Sequence, residues 1–146
     1  MKLATVGTSS ITEHFIQSLK REGSFVLDTI YSRDPKKADT LALKYGVPNT
    51  CSDWMSLLHN PDIDVLYIAT PNGTHYGLAR DAVLAKKHVI LEKPYVSNLK
   101  EFDALQALAK ANGVYVFDAI IPMHLPNYAI LKDVLPRIGD LRIVNL

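Results

Sequence analysis

The chain has 146 residues, 48% of them hydrophobic and 21% charged, and a net charge of +1. That is enough for one domain with a substantial core, and it gives no electrostatic case for a nucleic-acid or membrane partner. Its one cysteine, Cys51, has no intrachain partner, and no apolar run approaches the ~18 residues of a membrane span, so the composition reads as a cytoplasmic globular protein.

The opening KLATVGTSSIT organises the rest of the chain. Leu3 to Val6 are a buried-strand candidate, Gly7 allows the tight turn that closes it, and Ser10 with Glu13 reads as a capping box opening a helix. A helix start there presents free N–H groups and the positive end of a helix dipole, which hold a phosphate without a charged side chain. Against the dinucleotide fingerprint G-x-G-x-x-G/A only Gly7 matches, because Ser9 and Thr12 stand at the other two small positions. An ordinary strand–turn–helix corner fits the same residues.

The first helix carries Ile11, Phe15 and Leu19 on one face with Ile16 beside them, and stops at Gly23. Phe25 to Tyr31 is a strand ending at Ser32-Arg33. Asp34 is a good N-cap and Pro35 suits a first helical turn, so a helix over 36–45 ends at Gly46. Asn49 to Cys51 is a short strand, and Ser52 or Asp53 caps a brief helix through Trp54, Leu57 and Leu58. Val65 to Thr70 is the strongest strand, closed by Pro71-Asn72-Gly73 and followed by a helix with Leu78, Ala82 and Ala85. Val89 to Leu91 is the next strand and runs into Glu92-Lys93-Pro94. Asn98 with Glu101 caps a helix stopped by Gly113, and Val114 to Phe117 is the sixth strand.

Strands alternating with helices, several of them apolar throughout, predict an α/β fold: a doubly wound parallel sheet of the Rossmann type, its ligand at the carboxyl ends of the strands. The domain boundary is placed at 121/122, with 1–121 as the dinucleotide-binding unit. Residues 122–146 then read as a connecting helix with Ile130, Leu131, Val134 and Leu135, followed by the first strand of a second domain, Leu141 to Leu146.

At IDVLYIATPNGTH followed by VILEKP, the sequence resembles the glucose–fructose oxidoreductase / inositol dehydrogenase / MocA family of NAD(P)-dependent oxidoreductases. The resemblance covers nearly the whole chain. It implies a two-domain protein acting on a sugar, polyol or related hydroxyl/keto compound, with a second α/β domain supplying substrate contacts and a homo-oligomer interface. Carried over by position, Gly7, Thr8, Ser9, Ser10 and Ile11 would cradle the pyrophosphate. Thr70, Pro71, Asn72 and His75 would lie along the cofactor, Glu92 would bind on the nicotinamide-ribose side, and Lys93 would sit at the reacting carbon with Pro94 fixing the bend. Where the family often has Glu-Ala followed by an aromatic and an Arg, this chain has Asp118-Ala119-Ile120-Ile121.

Lys93 suits the catalytic role, since a lysine at a strand's carboxyl end can stabilise negative charge developing on a substrate oxygen. The bland alternative is a solvated Glu92–Lys93 ion pair. At the end of the second strand Ser32 and Arg33, followed by Lys36 and Lys37, replace the acidic residue of NAD-specific sites, which favours NADP(H) over NAD(H). The lysines can equally be a solvated helix face, and Asp34 either faces a ribose or caps the helix. His75 reads as a cofactor contact or as a helix-start histidine satisfied by local backbone. The five histidines show no metal-ligand spacing, so no metal is expected, and no Walker-type G-K-[ST] follows Gly7. A non-catalytic dinucleotide-binding module is the alternative function. A methyltransferase-like domain would want an acidic residue after the second strand.

Overall fold

The computed structural model describes residues 1–137, 139, 140 and 142. Six strands, β1 (Lys2–Val6), β2 (Val26–Tyr31), β3 (Asn49–Cys51), β4 (Val65–Ile68), β5 (His88–Leu91) and β6 (Val116–Asp118), form one sheet in the order β3-β2-β1-β4-β5-β6. Every neighbouring pair is parallel. Winding therefore proceeds outward from β1 in one direction and from β4 in the other, and the order reverses between them.

The helices are α1 (Ser10–Glu22), α2 (Pro35–Tyr45), α3 (Trp54–His59), α4 (His75–Leu84), α5 (Leu99–Asn112) and α6 (Pro126–Val134). Ile16, Leu19, Ala38 and Leu41 bring α1 and α2 onto one face of the sheet, while Leu57, Ala82, Val83 and Leu105 bring α3, α4 and α5 onto the other. Both faces of β1 and β4 are thereby covered, which is why Leu3 to Val6 and Val65 to Ile68 are apolar or neutral in unbroken runs.

Side-chain caps form at α2, α3 and α5. Asp34 accepts from the Lys36 N–H at 3.1 Å, Asp53 from Ser56 at 2.7 Å and Asn98 from Glu101 at 3.0 Å. The capping box expected at Ser10 and Glu13 does not form. Ser9 is the N-cap, without a side-chain bond to the helix backbone, and the Glu13 carboxylate reaches α2, where it accepts from Lys44 and from the Tyr45 hydroxyl at 2.7 Å. Two strand ends also differ from expectation. β4 stops at Ile68, because Thr70 and Pro71 already belong to the turn, and β6 begins at Val116 and reaches Asp118. The helix expected after Asn127 is α6, which buries none of its residues; the strand expected over 141–146 lies outside the described residues, apart from Arg142.

Candidate cofactor site

Gly7 sits where the winding reverses, and the fold leaves no alternative residue there. Its φ is +112°, and a Cβ built on it would lie 2.3 Å from the Ala69 carbonyl oxygen at the end of β4. The two central strand ends approach too closely for a side chain, so the backbone itself floors the cleft. Ser9, by contrast, has φ −80° and ψ 171°. That is extended backbone open to any residue, so the missing second glycine of the fingerprint is not required by conformation. Thr12 is fully buried between α1 and the sheet, with its hydroxyl 3.4 Å from that of Ser9.

The first intrahelical bond of α1 runs from the Glu13 N–H to the Ser9 carbonyl at 3.2 Å. The N–H groups of Ser10, Ile11 and Thr12 precede it and point out of the helix start, as an anion site needs. A cleft of about 850 Å³ opens above them along the carboxyl ends of β1, β2 and β4. Gly7, Thr8, Ser9, Ser32, Arg33, Lys37, Thr70 and Pro71 line it together with Tyr31, Asp34, Lys36, Lys44 and Thr74. Ser10 and Asn72 are exposed and do not line it.

The corner after β2 is cationic. Asp34 is engaged by the N-terminus of α2, and its own N–H donates to the Ser32 hydroxyl at 3.2 Å, so the carboxylate caps the helix. Arg33, Lys36 and Lys37 are exposed and make no ion pair among the described residues, whereas Lys44 is held by Glu13. Hydrogen bonds from Lys44 and Tyr45 hold the Glu13 carboxyl below the usual carboxylate range.

At the far end, the loops after β4 and β5 are wired through buried groups. The Tyr67 hydroxyl donates to Glu92 Oε1 at 2.6 Å, and Glu92 Oε2 accepts the Lys93 N–H at 3.2 Å. Burial first, and the adjacent carboxylate second, push the Tyr67 hydroxyl far above its ordinary range, so it keeps its proton. Phe15 stacks on the Tyr67 ring with 3.6 Å between centroids. Glu92 therefore faces Tyr67 and is not the partner in a Glu92–Lys93 ion pair. The Lys93 side chain is exposed, and its ammonium makes no hydrogen bond or ion pair among the described residues. The Lys93–Pro94 peptide is cis.

His75 opens α4 facing inward, 1% exposed, with Nδ1 2.8 Å from the Pro94 carbonyl and Nε2 2.9 Å from that of Thr70. Both ring nitrogens thus face backbone carbonyls, one of them in the loop after β5. Ile11 and Glu92 line a second cleft, of about 890 Å³, on the α1 side of β4 to β6, where Phe25, Ile90 and Phe117 make the walls apolar. Tyr67 escapes a reading of the sequence because it looks like any apolar strand residue. Its one signal is a hydroxyl on a strand beside the one that ends in Glu92.

The model of the oxidoreductase family with an NAD-binding Rossmann fold matches residues 1–119. Scyllo-inositol 2-dehydrogenase (NADP(+)) IolU of Bacillus subtilis is 36% identical over 142 residues, covering 97% of this chain and 43% of that protein. The uncharacterized oxidoreductase YgjR of Escherichia coli is 35% identical over the same length and shares. Among solved structures, the KijD10 3-ketoreductase of Actinomadura kijaniata, in complex with NADP and TDP-benzene, superposes with a TM-score of 0.88 at 23% identity, covering 94% of this chain and 42% of that one. Scyllo-inositol dehydrogenase of Lactobacillus casei, with bound NAD(H) and scyllo-inositol, gives 0.85 at 22% identity, covering 96% and 42%. At these identities the two superpositions establish the fold. The chain spans less than half the length of these relatives, and no helix among the described residues is long and apolar enough to cross a membrane. With the Gly7 floor, the open helix start and the reversal between β1 and β4 in place, the chain belongs to the Gfo/Idh/MocA oxidoreductase family and forms its NAD(P)-binding Rossmann domain.

Proposed function

We propose that this chain holds NADP(H) in preference to NAD(H), as the cofactor half of an oxidoreductase acting on a sugar- or polyol-like hydroxyl or keto compound. The observation that carries the preference is at the end of β2, where Asp34 caps α2 and Arg33, Lys36 and Lys37 around the cleft make no ion pair among the described residues. A free carboxylate there would favour ribose hydroxyls; a free guanidinium favours a 2′-phosphate. The floor at Gly7 and the N–H groups at the start of α1 fit a pyrophosphate. NADP-linked IolU and KijD10 support the reading, and NAD-linked scyllo-inositol dehydrogenase is the reason to test it.

The bound nicotinamide supplies or accepts the hydride. The protein's part is to orient and to stabilise charge: Ser9, Ser10 and Ile11 at the helix start hold the phosphates, Ser32, Arg33 and Lys37 read the adenosine side, and Thr70, Pro71 and Asn72 border the middle. Lys93 reaches the reacting oxygen with its ammonium and stabilises the negative charge that develops there. Glu92 fixes the Lys93 backbone from beneath. A homo-oligomer and a boundary at 121/122 complete the proposal; β6 ends at Asp118, and the chain beyond it makes a 3-10 turn into α6.

Calorimetric titration of the chain with NADPH and NADH at one salt concentration tests the reading. NADPH is expected to bind more tightly. Arg33→Ala should cost about 1.5–3 kcal/mol in NADPH affinity, roughly ten- to hundred-fold, and leave NADH nearly unchanged. Equal loss for both cofactors would assign Arg33 to adenine stacking or to structure, and absence of binding by the unaltered chain would overturn the reading.

A further inference from the structure

The two contacts of His75 make an unusual demand on the ring. Carbonyl oxygens only accept hydrogen bonds, and both ring nitrogens lie within 2.9 Å of one, Pro94 on one side and Thr70 on the other. A neutral imidazole has one N–H and one bare lone pair, so it serves one carbonyl and sets its lone pair against the second. Only the ring protonated on both nitrogens donates to both. At 1% exposure no solvent water can substitute for the missing donor.

The two carbonyls belong to different loops. Thr70 follows β4 and starts the Pro71–Thr74 turn, while Pro94 directly follows Lys93 after β5. Beside the β4–β5 pairing, the Glu92 N–H to Ile68 carbonyl bond at 3.0 Å and the Tyr67–Glu92 bond beneath, His75 ties these loops together. We propose that His75 is a positioning residue for Lys93, a two-donor cross-link that pins the Lys93–Pro94 turn to the loop after β4. The proposal rests on the role in charge stabilisation proposed for Lys93.

Of the charged groups nearby, the Lys93 ammonium stands in solvent, and the carboxylates on α4 and β5 are otherwise engaged. On α4, Arg80 pairs with Asp81, which also accepts from Trp54; on the β5 side, the Glu92 carboxylate takes the Tyr67 hydroxyl and the Lys93 N–H. None of these carboxylates hydrogen-bonds the ring. A cation in the first turn of α4 also opposes the helix dipole. The two carbonyls are thus the ring's only hydrogen-bond partners among the described residues, and the ring's placement and the paired loops depend on each other.

The test is nitrogen-15 NMR of the labelled 146-residue chain, read without cofactor. Both ring nitrogens of His75 are expected in the protonated range, each coupled to its own proton. A ring with one bare nitrogen overturns the two-donor cross-link, whatever the chain binds. The second measurement is amide exchange at Lys93 and Tyr95 in His75→Leu and His75→Gln. The expected result is exchange at least ten-fold faster in the leucine variant, partly restored by the single amide donor of glutamine, with the rest of the amide spectrum preserved. Unchanged exchange in both variants overturns the positioning role. Should His75→Leu not fold, the glutamine variant and the protonation of the unaltered ring still decide. Failure of the unaltered chain to bind NADPH would count against the cofactor reading and leave these readouts untouched.

Discussion

At the β1–β2 end of the cleft, Arg33, Lys36 and Lys37 stand in solvent around a floor made of backbone; at the β4–β5 end, Glu92 and His75 are 7% and 1% exposed and bonded on every side. The cations of the first end make no ion pair among the described residues, which leaves them free for the ligand of the proposed function. Changing them alters selectivity at little cost to folding. The second end places one exposed lysine by means of buried groups, so each change there also disturbs the core. A single glycine joins the two, because Gly7 closes β1 against Ala69 at the end of β4.

The strongest way to break the comparison is to remove the element both ends share. Gly7→Ala forces a Cβ to 2.3 Å from a backbone oxygen at positive φ, and should lower stability by more than about 3 kcal/mol and abolish binding of both cofactors. Denaturant melts and the calorimetric titration read the two effects. A well-folded variant that still binds would mean that the strand ends separate at little cost.

Lys93→Ala tests the far end by itself. Because the ammonium makes no contact within the described protein, the melt should hardly move and NADPH affinity should stay within a few-fold. Turnover by the catalytically competent protein should fall by ~10²–10³ if the lysine stabilises developing charge. Unchanged turnover removes Lys93 from the mechanism.

Asp34→Ala sharpens the near end. Loss of the α2 cap should cost about 1 kcal/mol of stability, seen in denaturant melts, without lowering NADH affinity. A marked loss of NADH would show that Asp34 faces the ribose after all.

The smallest effect concerns Glu13, whose link to Lys44 and Tyr45 joins α1 to α2 beside the cleft. Its carboxyl is held below the usual range in the folded chain, so its stabilisation is fully present above the ordinary glutamate range near pH ~4.3 and is lost as pH falls from there through the lowered folded-state value. Thermal melts should show Glu13→Gln slightly less stable than the unaltered chain at neutral pH, with the gap closing on acidification. A gap that widened in acid would reverse the assigned sign.

Residues legible in the sequence are those whose signal is local. Asp34-Pro35 and Asn98 announce their helices by cap chemistry, Gly23, Gly46 and Gly113 end theirs in the left-handed conformation, and the apolar runs of β1 and β4 mark strands covered on both faces. Gly7 and Arg33 are legible too, since each lies at a strand end where the fold puts ligands. The same local logic misjudges Glu13, because the capping-box pattern is silent about a lysine and a tyrosine 31 and 32 residues away on α2. Those partners exist only once α1 and α2 lie side by side.

By itself, then, the sequence determined the alternation of strand and helix, the parallel sheet and the family, because periodicity, caps and the TPNGTH and EKP motifs are properties of neighbouring residues. The tertiary structure alone decided which way the polar groups face. That Glu92 meets Tyr67 and not Lys93, and that the His75 ring reaches the Pro94 carbonyl, depend on distances between segments far apart in the chain. A buried polar group takes whichever partner the packing brings within reach, and only the folded arrangement of β4 and β5 brings these together.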